Sequence, residues 1–143
     1  MSNLSLFLKN NKRIRNNAFY AATTSIQDEH GEPVKWEIRP VTTEEAERIR
    51  AICTHEIPVP GKKGMTRDKV DVNEYLDKLT VAAVVFPDLM NAELQDSYGV
   101  KTPEELLKQM VDNPAEYADL QQFVQNHSGF DSDMTAQVEE AKN

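Results

Sequence analysis

Cysteine is nearly absent from this 143-residue chain: Cys53 stands alone, which excludes an internal disulfide and suits a reducing compartment. Long apolar runs are missing as well. Leu4 to Leu8 extend for about one helical turn before Lys9, short of a signal-sequence core and far short of the ~20 residues of a membrane span, so a cytoplasmic protein without membrane contact is expected. Positive charge is in the minority, with 16 Lys and Arg against 24 Asp and Glu and a net charge of −8, which repels nucleic acid and anionic lipid. The local exception is Lys9, Lys12, Arg13 and Arg15, expected to be a solvated face.

Signatures of catalysis are equally scarce. His30, His55 and His127 form no i, i+4 pair and are expected to be ordinary surface residues. Asp131 and Asp133 open like a calcium loop, but the sixth and twelfth places, which need Gly and Glu, hold Ala136 and Lys142. Gly61, Lys62, Lys63 and Gly64 lack the spacing of a phosphate-binding loop. The many carboxylates cluster at helix starts, where the helix dipole and capping account for them. Cys53 follows Ile49, Arg50 and Ile52 on what looks like a buried helix stripe, where a thiol is unreactive. No catalytic residue, cofactor or metal site is expected, and the chain reads as a binding protein rather than an enzyme.

What is present points to an α+β fold, mainly α, with an N-terminal β-hairpin packed on an irregular body of about five helices. Residues 1–18 form an apolar and basic arm carrying Leu4, Leu6, Phe7 and Leu8. Residues 19–130 form one globular domain, and 131–143 an acidic tail. Within 19–41, the aromatic and β-branched stretch from Phe19 to Ile26 and the alternation of Val34, Trp36 and Ile38 with Lys35, Glu37 and Arg39 predict two strands, joined by a turn at Gly31. Trp36 belongs to the core side.

Helices begin at 43. Thr42 and Glu45 make a capping box for a helix with Ala46, Ile49, Ile52 and Cys53 on its apolar side. Residues 55–69, rich in Pro, Gly and charge, predict a mobile loop. The strongest helix opens at Asp71 and Glu74 and runs to Phe86, where Pro87 stops it. Its apolar second half marks it as the central helix. Three shorter helices come next, at Asn91 to Tyr98 before Gly99, from the Thr102, Pro103 and Glu105 cap, and from Asn113 and Pro114 to Gly129.

The segments VKWEIRPVTTEEAERIR, from Val34 to Arg50, and VVFPDLMNAELQDSYGVKTPEELLKQM, from Val84 to Met110, together with LSLFLKNN and NAFYAATTSI, resemble the XkdN-like tail assembly chaperones of PBSX-type prophages and related contractile-tailed phages. The resemblance covers nearly the whole chain, is most specific at Asn91 to Val100, and carries no catalytic residue. It implies a protein that acts during tail morphogenesis in the host cytoplasm, is absent from the finished virion, and keeps the long, helical tape measure protein soluble while tail tube subunits polymerise around it. Tail tube protein and a frameshift-extended form of the chain itself are further implied partners. Ala141, Lys142 and Asn143 are the residues that a GCA AAA AAC slip site would encode.

The expected partner-binding residues are Phe7 on the arm, with Leu89, Met90, Leu94 and Tyr98 after the proline stop, where Leu and Met offer an adaptable apolar surface. A hairpin edge and an apolar arm also permit homo-oligomers. The alternative is a structural tail-completion or baseplate component of the virion. A regulatory hydrolase or nuclease is the weakest candidate, for want of a metal or nucleophile motif.

Overall fold

Thr42 shows how local chemistry starts the helices of this protein. Its hydroxyl accepts from the Glu45 amide at 3.2 Å while the Glu45 carboxylate accepts from the Thr42 amide at 3.3 Å, closing the capping box at the head of α1 (Thr43–Ile52). The same logic recurs. In the computed structural model, which describes residues 3–130, Asp71 caps α2 (Val72–Ala83). Asn91 caps α3 (Ala92–Ser97), Thr102 with Pro103 starts α4 (Pro103–Met110), and Asn113 with Pro114 starts α5 (Pro114–Ser128). Gly129 ends α5 at φ 95°, a left-handed conformation that only glycine adopts without strain. The fold is α+β and mainly α.

The N-terminal hairpin is present, built from shorter strands than the sequence suggests. β1 (Ala18–Tyr20) pairs antiparallel with β2 (Trp36–Ile38), matching Ala18 to Ile38, Phe19 to Glu37 and Tyr20 to Trp36. The connecting segment is closed by a lone bridge between Gln27 and Pro33. Directly paired residues share a face, so Trp36 and Ile38 turn into the core, where both are buried, and Phe19 and Glu37 turn outward.

Three expectations are corrected. The long helix does not reach Phe86: it ends at Ala83, and Val84–Phe86 become β5, which pairs antiparallel with β2. A run of Val, Val and Phe fits either structure, and the open edge of β2 supplies the hydrogen bonds that decide it. The sheet order is β1-β2-β5.

The loop expected over 55–69 is a second hairpin. β3 (Thr54–Pro58) and β4 (Thr66–Val70) pair over five residues a side, from Thr54 opposite Val70 to Pro58 opposite Thr66. Both faces are largely wet, so no alternation of apolar residues announces the strands. The third correction concerns the α1 stripe: Ala46 and Cys53 are buried and Ile49 is half-buried, while Ile52 is exposed.

The helices cover the inner face of the three-stranded sheet. Leu79 of α2, Leu106 and Leu107 of α4, and Leu120 and Val124 of α5 join Trp36 and Ile38 in one apolar cluster. Each fully buried side chain of this kind contributes about 1.5–3 kcal/mol. α2 occupies the middle, touching α1, α4, α5 and β5. The expected acidic tail, 131–143, lies outside the described residues.

Candidate interaction surface

The sheet faces solvent with an aromatic row. Phe19 and Phe86 both sit opposite Glu37, one on each side of β2, so the outer face reads Phe–Glu–Phe across three strands. Phe19 is 64 % exposed and Phe86 56 %, and their neighbour Val85 is also exposed. Exposed aromatics grouped this way are costly in water unless they have a use. Asn17 holds the Glu37 carboxylate at 2.9 Å, which fixes the centre of the row. Beyond Phe86 lies an open groove of about 480 Å³, walled by Asp88, Asn91, Glu93, Leu94 and Ser97.

The five expected contact residues separate. Phe7, in the short 3₁₀ turn Asn3–Phe7, is 83 % exposed and lies beside the exposed Leu4, Leu6 and Leu8. Met90, on the turn between β5 and α3, is 70 % exposed. Leu94 is half-buried against the core and lines the groove, and Tyr98 at the end of α3 is partly exposed. Leu89 belongs to the core and offers no surface: it is 4 % exposed, and its carbonyl is held by the Gln95 side chain at 2.8 Å. Phe19 and Phe86 were not expected here. Their outward turn depends on which residue of β2 each one faces, and the sequence does not print that register.

Several polar groups are committed to structure. Arg39 donates to Glu45 through both guanidinium nitrogens, Nη1 to Oε1 at 2.8 Å, and this contact holds the Glu45 carboxyl down at about 2. Glu116 accepts from the Thr24 amide at 2.9 Å and, with a smaller effect, from the Thr23 hydroxyl at 2.8 Å, and both pull its pKa below the usual carboxylate range. Burial, and to a lesser degree the nearby Glu74, pushes the Cys53 thiol up. His55 contacts Glu74 at 2.9 Å. His127 is not the plain surface residue expected: it stacks on Phe123, which stacks on Tyr20, and its Nε2 is buried without a hydrogen-bond partner. Among the described residues, no three metal-binding side chains converge.

The family of phage XkdN-like tail assembly chaperone proteins matches this sequence over residues 4–142, both apolar surfaces included. The chain belongs to that family. Among curated relatives of this tail assembly chaperone, the phage-like element PBSX protein XkdN of Bacillus subtilis (strain 168) is 26 % identical over 116 residues, which is 81 % of this chain and 77 % of the relative. YqbN, an uncharacterised protein of the same strain, is 27 % identical over 116 residues, 81 % of this chain and 76 % of its own. The crystal structure of YqbN superimposes with a TM-score of 0.76 at 19 % identity, covering 92 % of this chain and 99 % of that one, so the chaperone shares its fold.

Proposed function

We propose that this tail assembly chaperone binds the tape measure protein in the host cytoplasm and keeps its apolar helical seams covered until tail tube subunits replace it. The aromatic row of Phe19 and Phe86 carries this reading, with the exposed Phe7 and Met90 as further contacts. Aromatic and methionine side chains supply large contact area on adaptable interfaces. The surrounding carboxylates of Glu37, Asp88 and Glu93 keep the free protein soluble with such a surface open. The role is one of holding, so no side chain is asked to turn over a substrate. The tail tube protein and a frameshift-extended form of this chain are the companion partners.

Co-expression with the tape measure protein tests the proposal. Soluble tape measure protein that co-purifies with this chain supports it, and a tape measure protein whose solubility is unchanged overturns it. Mass spectrometry of mature tails tests the transient nature of the role: the chain as a stoichiometric virion component would make it a tail-completion or baseplate part instead.

A further inference from the structure

Two apolar surfaces of this protein face water and do not meet. The first is the arm: of residues 3–17 only Ser5 is even half-buried, and Leu4, Leu6, Phe7 and Leu8 each show more than half of their surface to solvent. In the 3₁₀ turn Asn3–Phe7, side chains three apart eclipse, so Leu4 and Phe7 form one apolar ridge. Lys9, Lys12 and Arg13 come next, and their side chains make no hydrogen bond or ion pair among the described residues. The second surface is the row of Phe19 and Phe86, with the Glu37 carboxylate at its centre and Asp88 and Glu93 in the groove beyond it.

The two match in size, polarity and charge. Five residues rising about 2 Å each make the turn about 10 Å long. Two strand spacings of about 4.8 Å put Phe19 and Phe86 about 10 Å apart. An apolar ridge followed by cations therefore faces an aromatic row followed by carboxylates. Within one chain the surfaces stay separate. Arg15 fixes the root of the arm, donating from Nη1 to the Ser128 carbonyl at 2.6 Å and from Nη2 to the Val41 carbonyl at 3.4 Å. From there the arm runs beside Pro40 and Thr42 at the head of α1 and leaves Phe19 and Phe86 open. The arm that fits the row is that of another copy.

We propose that two copies of this chain exchange arms: Leu4 and Phe7 of each lie on the Phe19 and Phe86 row of the other, with Lys9, Lys12 and Arg13 against Glu37, Asp88 and Glu93. Each copy gives one arm and takes one, so the contact closes at two. A few arm side chains on one aromatic row fall well short of the roughly 20–30 residues a side of a stable interface, so a larger apolar partner displaces them. The exchange then keeps the row covered until that partner arrives. This masking rests on the holding role proposed above; the contact between copies does not.

Sedimentation equilibrium of the full chain tests the exchange, with an arm variant (Leu4→Ser with Phe7→Ser) and a row variant (Phe19→Ser with Phe86→Ser). All four side chains are exposed, so thermal melts of both variants should match the parent. The parent should dimerise, and each variant should do so on the order of tenfold or more weakly. An equimolar mixture of the two variants should associate more tightly than either alone, because the intact arm of one meets the intact row of the other. A parent that stays monomeric at every concentration overturns the proposal and leaves any docking of the arm within its own chain. An arm variant that dimerises like the parent assigns the contact to the rows alone, a row variant that does so assigns it to the arms alone, and either result overturns the exchange. So does a mixture no tighter than its components. The tape measure protein is absent from this measurement, so its outcome and that of the co-expression test stand independently.

Discussion

Tyr117 donates its hydroxyl to the Asp77 carboxylate at 2.5 Å, joining α5 to α2 across forty positions of sequence. Asp77 also accepts from Gln121 at 3.1 Å and pairs with Lys108 of α4 at 2.7 Å, so one carboxylate links three helices. Its side chain is 15 % exposed. Asp77→Ala would leave the phenol unpaired in a half-buried site and should cost about 2–3 kcal/mol, while Tyr117→Phe should cost about 1 kcal/mol. Urea unfolding of both variants and of the double variant checks this, and the double variant should fall short of the sum because the two share one contact.

The same phenol predicts an alkaline limit. Burial first, and the Asp77 hydrogen bond second, raise the Tyr117 pKa well above its ordinary 10.0. The folded state therefore keeps a proton that the unfolded state releases. That stability is fully present below pH 10 and is lost as pH climbs above it towards the folded-state value. Unfolding midpoints measured at rising alkaline pH should fall, and Tyr117→Phe should fall less steeply.

Glu45 sets the acid limit in the opposite sense. Arg39 lowers its carboxyl from 4.5 to about 2, so the folded state resists protonation. The Arg39 contact and capping box contribute in full above about pH 4.5 and are lost as pH falls towards 2. Glu45→Gln should already lack the charge-assisted part at neutral pH. Its stability should change less between pH 5 and pH 2 than that of the parent chain, as read by thermal melts.

Signals that act within a few residues were legible in the sequence; signals that depend on distant pairing were not. Thr42 with Glu45, Asn91, Thr102 with Pro103, Asn113 with Pro114, and Gly129 mark helix ends through contacts to their own neighbours, and each stands where the pattern puts it. Val84, Val85 and Phe86 leave the helix for a strand because β2 offers an open edge, a partner nearly fifty residues earlier. β3 and β4 have no dry face, so their polar sequences hide them. The contact surface suffered in the same way. Apolar character alone does not tell the buried Leu89 from the exposed Met90 beside it, and Phe19 becomes a surface residue only once Tyr20 is aimed at Trp36.

The second hairpin makes a local prediction. Gly61 and Gly64 hold φ values of 77° and 79° in the turn between β3 and β4, where the Val59 amide donates to the Met65 carbonyl at 3.0 Å. Alanine at either position should cost about 1–2 kcal/mol of left-handed strain. The hairpin's faces are wet, so the cost should appear as local opening. Faster hydrogen exchange at the Val59 and Met65 amides, with core amides of α2 unchanged, is the expected result.

The surface prediction separates holding from folding. Phe19 and Phe86 project from the outer face of the sheet, opposite the buried Trp36 and Ile38, so Phe19→Ser with Phe86→Ser removes contact area without opening the core. Exposed sites of this kind change stability by about 0.5 kcal/mol or less, and the thermal melt should barely move. Binding is the readout that should move. If the aromatic row is the contact, the double variant should weaken capture of the tape measure protein on the order of tenfold or more, as the loss of aromatic anchors does elsewhere. Leu89→Ala supplies the contrast: with its side chain in the core, it should lose about 2–4 kcal/mol of stability. It should still capture the tape measure protein at temperatures where it remains folded. A double serine variant that melts normally and captures normally would move the contact away from the sheet, leaving Phe7 and its neighbours on the arm as the surface to change next.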